Sequence, residues 1–282
     1  MSDYAALIIG YRRPDLVREV LARLDSQVIP CAQVIIVDNG GDLPEDVLSD
    51  VGGRTPVLIR RGDNPGYGAA VNLALEVCEQ QGIENLLVLT HDAWFEQNLS
   101  ARMLNALEHM SDVGAVAPTL YWVSRPEVVF SAGGVLTKGG RAYHHVSVPA
   151  SGLRDVDWVD GAVVMYRTQA LREIGGMEEM YFLYFEDVDT GWALKQHGWR
   201  TVVLDVRAAQ EPGAHPLRLG VRNMALFARK AGLGRVRSTF AVGRRAAEEL
   251  IVAWRRTGNV PAREAWNGWR DARAGRTGKI DD

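Results

Sequence analysis

Three acidic residues fall within four positions, Glu186, Asp187 and Asp189 of Glu186-Asp187-Val188-Asp189, directly after the apolar and aromatic run Tyr181-Phe182-Leu183-Tyr184-Phe185. Like charges crowded beside apolar neighbours push carboxylate pKa values up unless a cation or hydrogen bonds compensate. Sites that need a general base are built this way. The structural alternative is a solvated first helical turn, where the helix dipole favours carboxylates. Asp92, in Thr90-His91-Asp92, and His215, between Gly213 and Pro216, are of metal-ligand type, although such a pair does not by itself specify a metal. Asn64-Pro65-Gly66-Tyr67-Gly68 leads into a helical pattern, an arrangement that lets backbone N–H groups approach a phosphate. The same residues, like Asp38 at the end of an apolar run, also serve as plain turn formers. The glycine fingerprint of dinucleotide cofactors is not met by Gly10-Tyr11-Arg12-Arg13-Pro14, so a nicotinamide or flavin dinucleotide is not expected.

Apolar runs of strand length alternate with helical periods through the first half of the chain. Residues 5–10 form one such run. Pro14 suits a first helical turn, where its missing N–H would have no partner anyway, and Leu16, Val17, Val20, Leu21 and Leu24 repeat at a helical period. Residues 34–37, 57–60 and 86–89 read as strands, with a helix predicted over 67–80. Strands that are apolar throughout and alternate with helices imply a parallel sheet covered on both faces. That is a doubly wound α/β fold, whose ligands bind beyond the carboxyl ends of the strands. All four strands end in polar or glycine-rich residues, and these endings are expected to share one rim. Further strands are expected over 113–117, 127–132, 142–148, 156–166 and 201–205, and a helix over 168–174. From Pro216 the pattern is helical, with breaks at 232–234 and 258–261.

The 282 residues are 47% hydrophobic and 24% charged, which excludes a wholly disordered or fibrous chain. No apolar stretch is long enough for a spanning helix. Met1-Ser2-Asp3-Tyr4 lacks the pattern of a secretory signal, and two isolated cysteines, Cys31 and Cys78, exclude a disulfide scaffold, so a cytoplasmic protein is expected. The net charge of -3 conceals an asymmetry: residues 216–282 carry 15 Lys and Arg against 6 Asp and Glu, and residues 1–215 carry 17 against 29. The basic tail could meet phosphates, an anionic membrane surface or the acidic body itself.

Taken in order, these pieces resemble a family 2 glycosyltransferase of the GT-A fold, nearest its rhamnosyltransferase-like members. The stretch from Val156 through Asp160-Gly161-Ala162 to Arg167, then Ile174-Gly175-Gly176-Met177 and the aromatic Glu186-Asp187-Val188-Asp189 segment, carries the resemblance most specifically. It implies a GT-A domain over residues 1–215, a mostly parallel doubly wound sheet, followed by a basic helical extension over 216–282. Tyr11 and Asp38 would border the base of a nucleoside diphosphate sugar. Arg61 (or its neighbour Arg60), Asn64, Gly66, Gly68 and Asn72 would line the nucleotide and diphosphate. Arg222-Asn223 resembles an Arg-Asn pair common after the catalytic domain in these enzymes. The family normally carries Asp-x-Asp after the fourth strand. Here Thr90 replaces the first acidic residue, while Asp92 keeps the position that binds Mg²⁺ or Mn²⁺ and His215 matches a histidine that often completes the metal site. The loss weakens the expected metal affinity, though substrate phosphates can themselves supply oxygen ligands.

The implied reaction is inverting transfer of a sugar, from a TDP-deoxysugar such as rhamnose or from a UDP-hexose, to an acceptor hydroxyl on a glycan, lipid-linked glycan or natural product. Asp187 is the expected base, with Glu186 and Asp189 hydrogen-bonding hydroxyls or holding the helix start in place. The rival is a non-catalytic sugar-nucleotide binder or partner subunit with a degenerate metal site. Val242, Ala246, Leu250 and Trp254 fall at helical spacing and are expected to pack, which favours a helix pair covering the acceptor site or lying peripherally on a membrane over nucleic-acid binding.

Overall fold

In the computed structural model, which describes residues 3–213 and 215–280, the first half folds as the alternation β1 (Tyr4–Gly10), α1 (Pro14–Asp25), β2 (Gln33–Asp38), β3 (Val57–Arg60), α2 (Tyr67–Gln81), β4 (Asn85–Thr90). The middle adds β5 (Trp94–Phe95), α3 (Leu99–His109), β6 (Val113–Trp122), β7 (Val129–Ser131), β8 (Gly134–Leu136), β9 (Ala142–His144), β10 (Leu153–Val156), β11 (Val163–Arg167) and α4 (Thr168–Glu173). The chain continues through α5 (Glu186–Gln196), β12 (Arg200–Gln210), α6 (Leu217–Lys230), α7 (Arg235–Thr257) and α8 (Ala262–Arg273).

One sheet has the order β10-β12-β6-β11-β4-β1-β2-β3, with β5 added on β12 and β7 on β6, and β8 and β9 form a separate ribbon. β3, β2, β1 and β4 are mutually parallel, and β6 and β12 are parallel to each other. β11 lies antiparallel between β4 and β6. Successive side chains of a strand point to opposite faces, and both faces are buried here. Ile8, Ile36 and Leu87 join α1 and α3 in one apolar cluster, whereas Leu7, Ile35 and Val88 join α2 and α4 in the other. This double burial is why the strands read as unbroken apolar runs.

Two expectations need correction. Residues 156–166 are not one strand. Asp157 breaks it by accepting from Leu136 N (2.9 Å) and Lys195 Nζ (2.8 Å), and residues 157–162 form a loop between β10 and β11. Trp254 does not pack. Val242 is buried and Ala246 and Leu250 are partly so, but Trp254 is 58% exposed. A row of residues spaced by four drifts about 40° per step around a helix, so by Trp254 it has left the packed face. Helix α3 carries its own signal in Leu99, Met103, Leu104 and Leu107, all buried.

The segment before α5 is strained. Phe182, Tyr184 and Phe185 have φ of 66°, 70° and 82°, a region that costs a non-glycine residue on the order of 1–3 kcal/mol. It is held by α6. Asn223 Nδ2 donates to Tyr181 O (3.1 Å), Leu183 O (2.9 Å) and Tyr184 O (2.7 Å), and Arg222 Nη2 donates to Tyr181 O (2.8 Å). Both side chains are buried. Replacing Asn223 with Ala should leave buried carbonyls without donors, at roughly 1–3 kcal/mol each. Thermal unfolding of Asn223→Ala is therefore expected to show a Tm several degrees lower, and an unchanged Tm would mean that the segment holds its own shape.

Candidate active site

Two adjoining cavities, of about 870 Å³ and about 390 Å³, open beyond the carboxyl ends of the parallel strands. They share Tyr67, Thr90, Leu183 and Gly213 in their walls. Because β11 runs against its neighbours, the 157–162 loop before it emerges on the same rim, and Thr90 N donates to Ala162 O at 3.0 Å. Tyr67 Oη donates to Gly161 O at 2.6 Å, and a Cβ on Gly161 would sit 2.7 Å from that hydroxyl. Helix α5 approaches the same loop closely: a Cβ on Gly191 would lie 2.4 Å from Asp157 O. These contacts bring Asp160 beside Glu186 and Asp187.

Of the residues expected at the nucleotide, Tyr11, Asn64 and Gly66 line the larger cavity, with Asp92. Gly66 has φ of 100°, and a Cβ there would meet Phe182 O at 2.2 Å, so the turn and the strained loop both demand glycine. Four others lie outside the lining and build the walls instead. Asp38 is buried and spends both oxygens on its own turn, accepting from Gly40 N and Gly41 N at 3.0 Å and from Leu43 N at 2.8 Å. Arg61 is paired with Asp63 at 2.8 Å, while Arg60 donates to Leu43 O. Gly68 permits the close approach of Glu178 O. Asn72 clamps the 177–179 turn, donating to Met177 O (2.9 Å) and Glu179 Oε1 (2.8 Å) and accepting from Met177 N (2.8 Å). The side chain that does face the cavity beside Asp38 is Asn39. Its Nδ2 donates to Gly66 O, and its buried Oδ1 has no partner among the described residues.

Glu186 and Asp187 line the smaller cavity with Asp160. Burial and the neighbouring Asp160 push Asp187 up, and burial and Asp187 do the same to Glu186. Asp160 is raised to about 6 by burial, partly offset by a hydrogen bond from Gln210 Nε2 (3.2 Å), and is raised further by Asp92. Glu186 Oε2 is buried with no partner among the described residues. Asp189, expected either to bind hydroxyls or to hold the helix start in place, lies outside the cavity lining and pairs with Lys230 (2.5 Å), which also pairs with Glu178 (3.0 Å).

Of the expected metal pair, Asp92 lines the larger cavity and His215 the adjoining smaller one, where its ring is stacked on that of Tyr184 with centroids 3.6 Å apart. Desolvation, Arg245 and His144 lower the His215 imidazole to about 4. Among the described residues no group of three His, Cys, Asp or Glu side chains is placed to hold a metal. Asp160 is the carboxylate that stands near Asp92. Asp160 stands within the stretch that carries the family resemblance, which gives it no role; its signal in the sequence is an Asp-Gly pair interrupting an apolar run.

The remaining wall of the smaller cavity is aromatic. Trp122 contacts Phe130 (4.9 Å), Phe130 contacts His144 (5.2 Å), and His144 contacts Trp158 (4.8 Å). Arg245 reaches it from α7.

A family model described as glycosyltransferase-like family 2 matches residues 2–230. The chain is similar to the N-acetylglucosaminyl-diphospho-decaprenol L-rhamnosyltransferase of Mycobacterium tuberculosis, 27% identical over 245 residues that cover 76% of this chain and 78% of that one. Among solved structures it resembles a mannosyltransferase of Pyrobaculum calidifontis in complex with GDP-Man and Mn²⁺, with a TM-score of 0.55 and 15% identity over 96% of this chain and 75% of the other. It also resembles GalNAc-T7 with UDP, GalNAc and Mn²⁺, with a TM-score of 0.57 and 11% identity over 81% of this chain. It spans only 48% of that protein's length. At such identities the likeness shows the fold, which is the GT-A type.

The buried carboxylates make a stability prediction. A carboxyl whose folded pKa is raised stabilises the fold while protonated and loses that contribution as pH rises through the folded value. Glu186 is raised to about 8, so Glu186→Gln should gain more in Tm over the native chain at pH 8.5 than at pH 5.5. The gap is expected to be several degrees, at about 2–4 °C per kcal/mol. Equal gaps at the two pH values would show that Glu186 is not held neutral in the fold.

Proposed function

The chain belongs to the family 2 glycosyltransferases, and we propose that its larger cavity holds the nucleoside diphosphate of a sugar donor and its smaller cavity the acceptor. The observation that carries this reading is the carboxylate group Asp160, Glu186 and Asp187 in the wall of the smaller cavity, which adjoins the larger. Asp187 takes the proton of the acceptor hydroxyl. The hydroxyl oxygen bonds to the anomeric carbon as that carbon's bond to the diphosphate oxygen breaks, and the nucleoside diphosphate departs. One displacement inverts the anomeric configuration. A raised pKa suits the base, because it gains proton affinity and is still partly ionised near neutral pH. Glu186, with its unpartnered oxygen, hydrogen-bonds an acceptor or sugar hydroxyl.

Asp92 and Asp160 suit a hard divalent cation, being neighbouring carboxylates of which one is raised in pKa partly by the other. They would hold Mg²⁺ or Mn²⁺ together with diphosphate oxygens. When bound, the ion neutralises the charge that grows on the leaving diphosphate. Tyr11, Asn39, Asn64 and Gly66 contact the nucleotide in this reading. The aromatic wall suits the apolar faces of an acceptor sugar. The mycobacterial relative's name specifies L-rhamnose transfer to N-acetylglucosaminyl-diphospho-decaprenol, which supports a TDP-deoxysugar donor and a lipid-linked acceptor here. We place the division between the GT-A domain and a basic extension of α6, α7 and α8 at residues 215 and 216.

A lipid-linked acceptor requires a membrane nearby. No helix among the described residues is long and apolar enough to cross one. Helix α7 is suited to lie on one. Val236, Phe240, Ile251 and Trp254 follow one face and are 87%, 73%, 49% and 58% exposed, bordered by Arg237, Arg244 and Arg255. Apolar and basic strips of this kind settle in the interface of an anionic bilayer. The opposite face of α7 carries Arg245 into the acceptor cavity. The helix would then join the bilayer surface to the acceptor site. Phe240→Asp with Trp254→Asp should abolish sedimentation with phosphatidylglycerol vesicles while leaving the Tm unchanged, and retained sedimentation would refute the contact.

The deciding experiment is Asp187→Asn. Turnover of a TDP- or UDP-sugar is expected to fall by about 10²–10⁴-fold, while thermal stabilisation by the nucleoside diphosphate persists. Retained turnover would refute the base.

A further inference from the structure

The chain beyond α8 turns back over the molecule and is tied down as it does so. Arg276 N donates to Asp271 O (3.0 Å) and its guanidinium pairs with the Asp271 carboxylate (2.9 Å). Gly278 N donates to Met180 O (2.7 Å), and Gly278 O accepts from Arg222 Nη1 (2.7 Å). Arg222 is the same buried side chain that holds Tyr181 O. The strap is therefore fixed at residue 278, at the foot of the aromatic loop. The next two residues, Lys279 and Ile280, enter the wall of the larger cavity beside Asn64, Gly66 and Phe182.

The other charges in that wall are spoken for or negative. Arg13 is paired with Asp15 at 2.6 Å, and Arg23 lies over the Trp94 ring. Glu19, Asp92 and Glu211 bring negative charge. Lys279 forms no ion pair with any described residue, and its side chain is exposed at the cavity. A cavity that accepts a diphosphate needs a cation free to meet it. An ammonium delivered by a backbone already fixed one residue earlier loses less entropy on binding than one on a loose tail.

We infer that Lys279 is a diphosphate-binding residue of the donor site, carried there by a C-terminal strap that Arg222 locks to the aromatic loop. The inference rests on the larger cavity being the nucleotide site. Ile280 covers the bound nucleotide from solvent on the same side. The strap also gives Arg222 a double task, since one guanidinium then positions both the segment that presents the base and the cation that meets the leaving group.

The test is calorimetric titration of the full chain, Lys279→Ala, Lys279→Arg and a chain ending at Gly278 with TDP and with UDP, alongside competition by thymidine and uridine. Lys279→Ala and the shortened chain should bind the preferred diphosphate about tenfold more weakly, with a shallower dependence on salt, as expected when one charge-assisted contact is lost. Nucleoside affinity should not change in Lys279→Ala, and Lys279→Arg should keep most of the diphosphate affinity. Equal diphosphate binding by the native chain and Lys279→Ala overturns this inference alone. Equal weakening of nucleoside and diphosphate in Lys279→Ala also overturns it, because the lysine would then be supporting the wall. If the native chain binds neither diphosphate, the nucleotide reading of the cavity falls and this inference falls with it.

Discussion

The rest of the site depends on how five consecutive residues, Tyr181 to Phe185, are held against their own backbone preferences. Three of them lie at positive φ without being glycine, and a loop free to relax would not stay there. It stays because the carbonyls it turns inward are bound by Asn223 and Arg222, and because Tyr67 N, at the start of α2, donates to Phe182 O at 2.9 Å. The strain has a clear consequence. The chain leaves the loop through Phe185, at the N-terminal end of α5, so Glu186 and Asp187 enter the cavity on the helix's first turn rather than facing solvent. A relaxed connection would give an ordinary acidic helix start.

Positioning creates an electrostatic conflict that the fold solves differently for each carboxylate. Asp189 pairs with Lys230, which offsets part of the rise that burial gives its pKa, and becomes part of the scaffold. Asp38 is satisfied by backbone amides. Asp160, Glu186 and Asp187 pair with no Lys or Arg among the described residues, and burial first, then the neighbouring carboxylates, raises their pKa values. The carboxylates left uncompensated are the ones that face the cavities, which is where ligands can compensate them. The price in stability at alkaline pH is the reverse side of that readiness.

The sheet was legible in the sequence because both of its faces are buried. Continuous apolar runs such as Ala5 to Gly10 carry that fact without any partner being known, and the rim formed by their endings follows from parallel topology. The acidic cluster was legible as well, because three carboxylates after five apolar or aromatic residues break the ordinary separation of charge and core. What could not be read was direction. Asp187 and Asp189 are equivalent in type and differ by two positions, yet 200° of helical rotation sends one to the cavity and the other to Lys230. Asn72 and Gly68 carry family positions, but their atoms are engaged by the 177–179 turn, a contact between segments more than 100 residues apart. Asp160 lay inside an apolar run whose interruption depends on Asp157 and α5. None of these pairings has a local signature.

The basic tail shows how one compositional signal divides among several physical uses. The acidic body takes part of the charge directly, through Lys230 with Glu178 and Asp189. Another part is spent inside the extension itself, where Arg218 binds the buried Asp271 across the α6–α8 contact at 2.8 Å. Among the described residues Arg222 binds no carboxylate but three carbonyl oxygens, two of the backbone and one of Asn223. A planar guanidinium with several fixed donors can do this, and a lysine cannot. The charges left over, Arg237 and Arg255 on α7 and Lys279 among them, border the exposed apolar face and the donor cavity. A tail that merely balanced net charge would have no reason to sort its cations this way. Sorting of this kind follows if the extension serves both as a brace for the strained loop and as the part of the molecule that meets anionic surroundings.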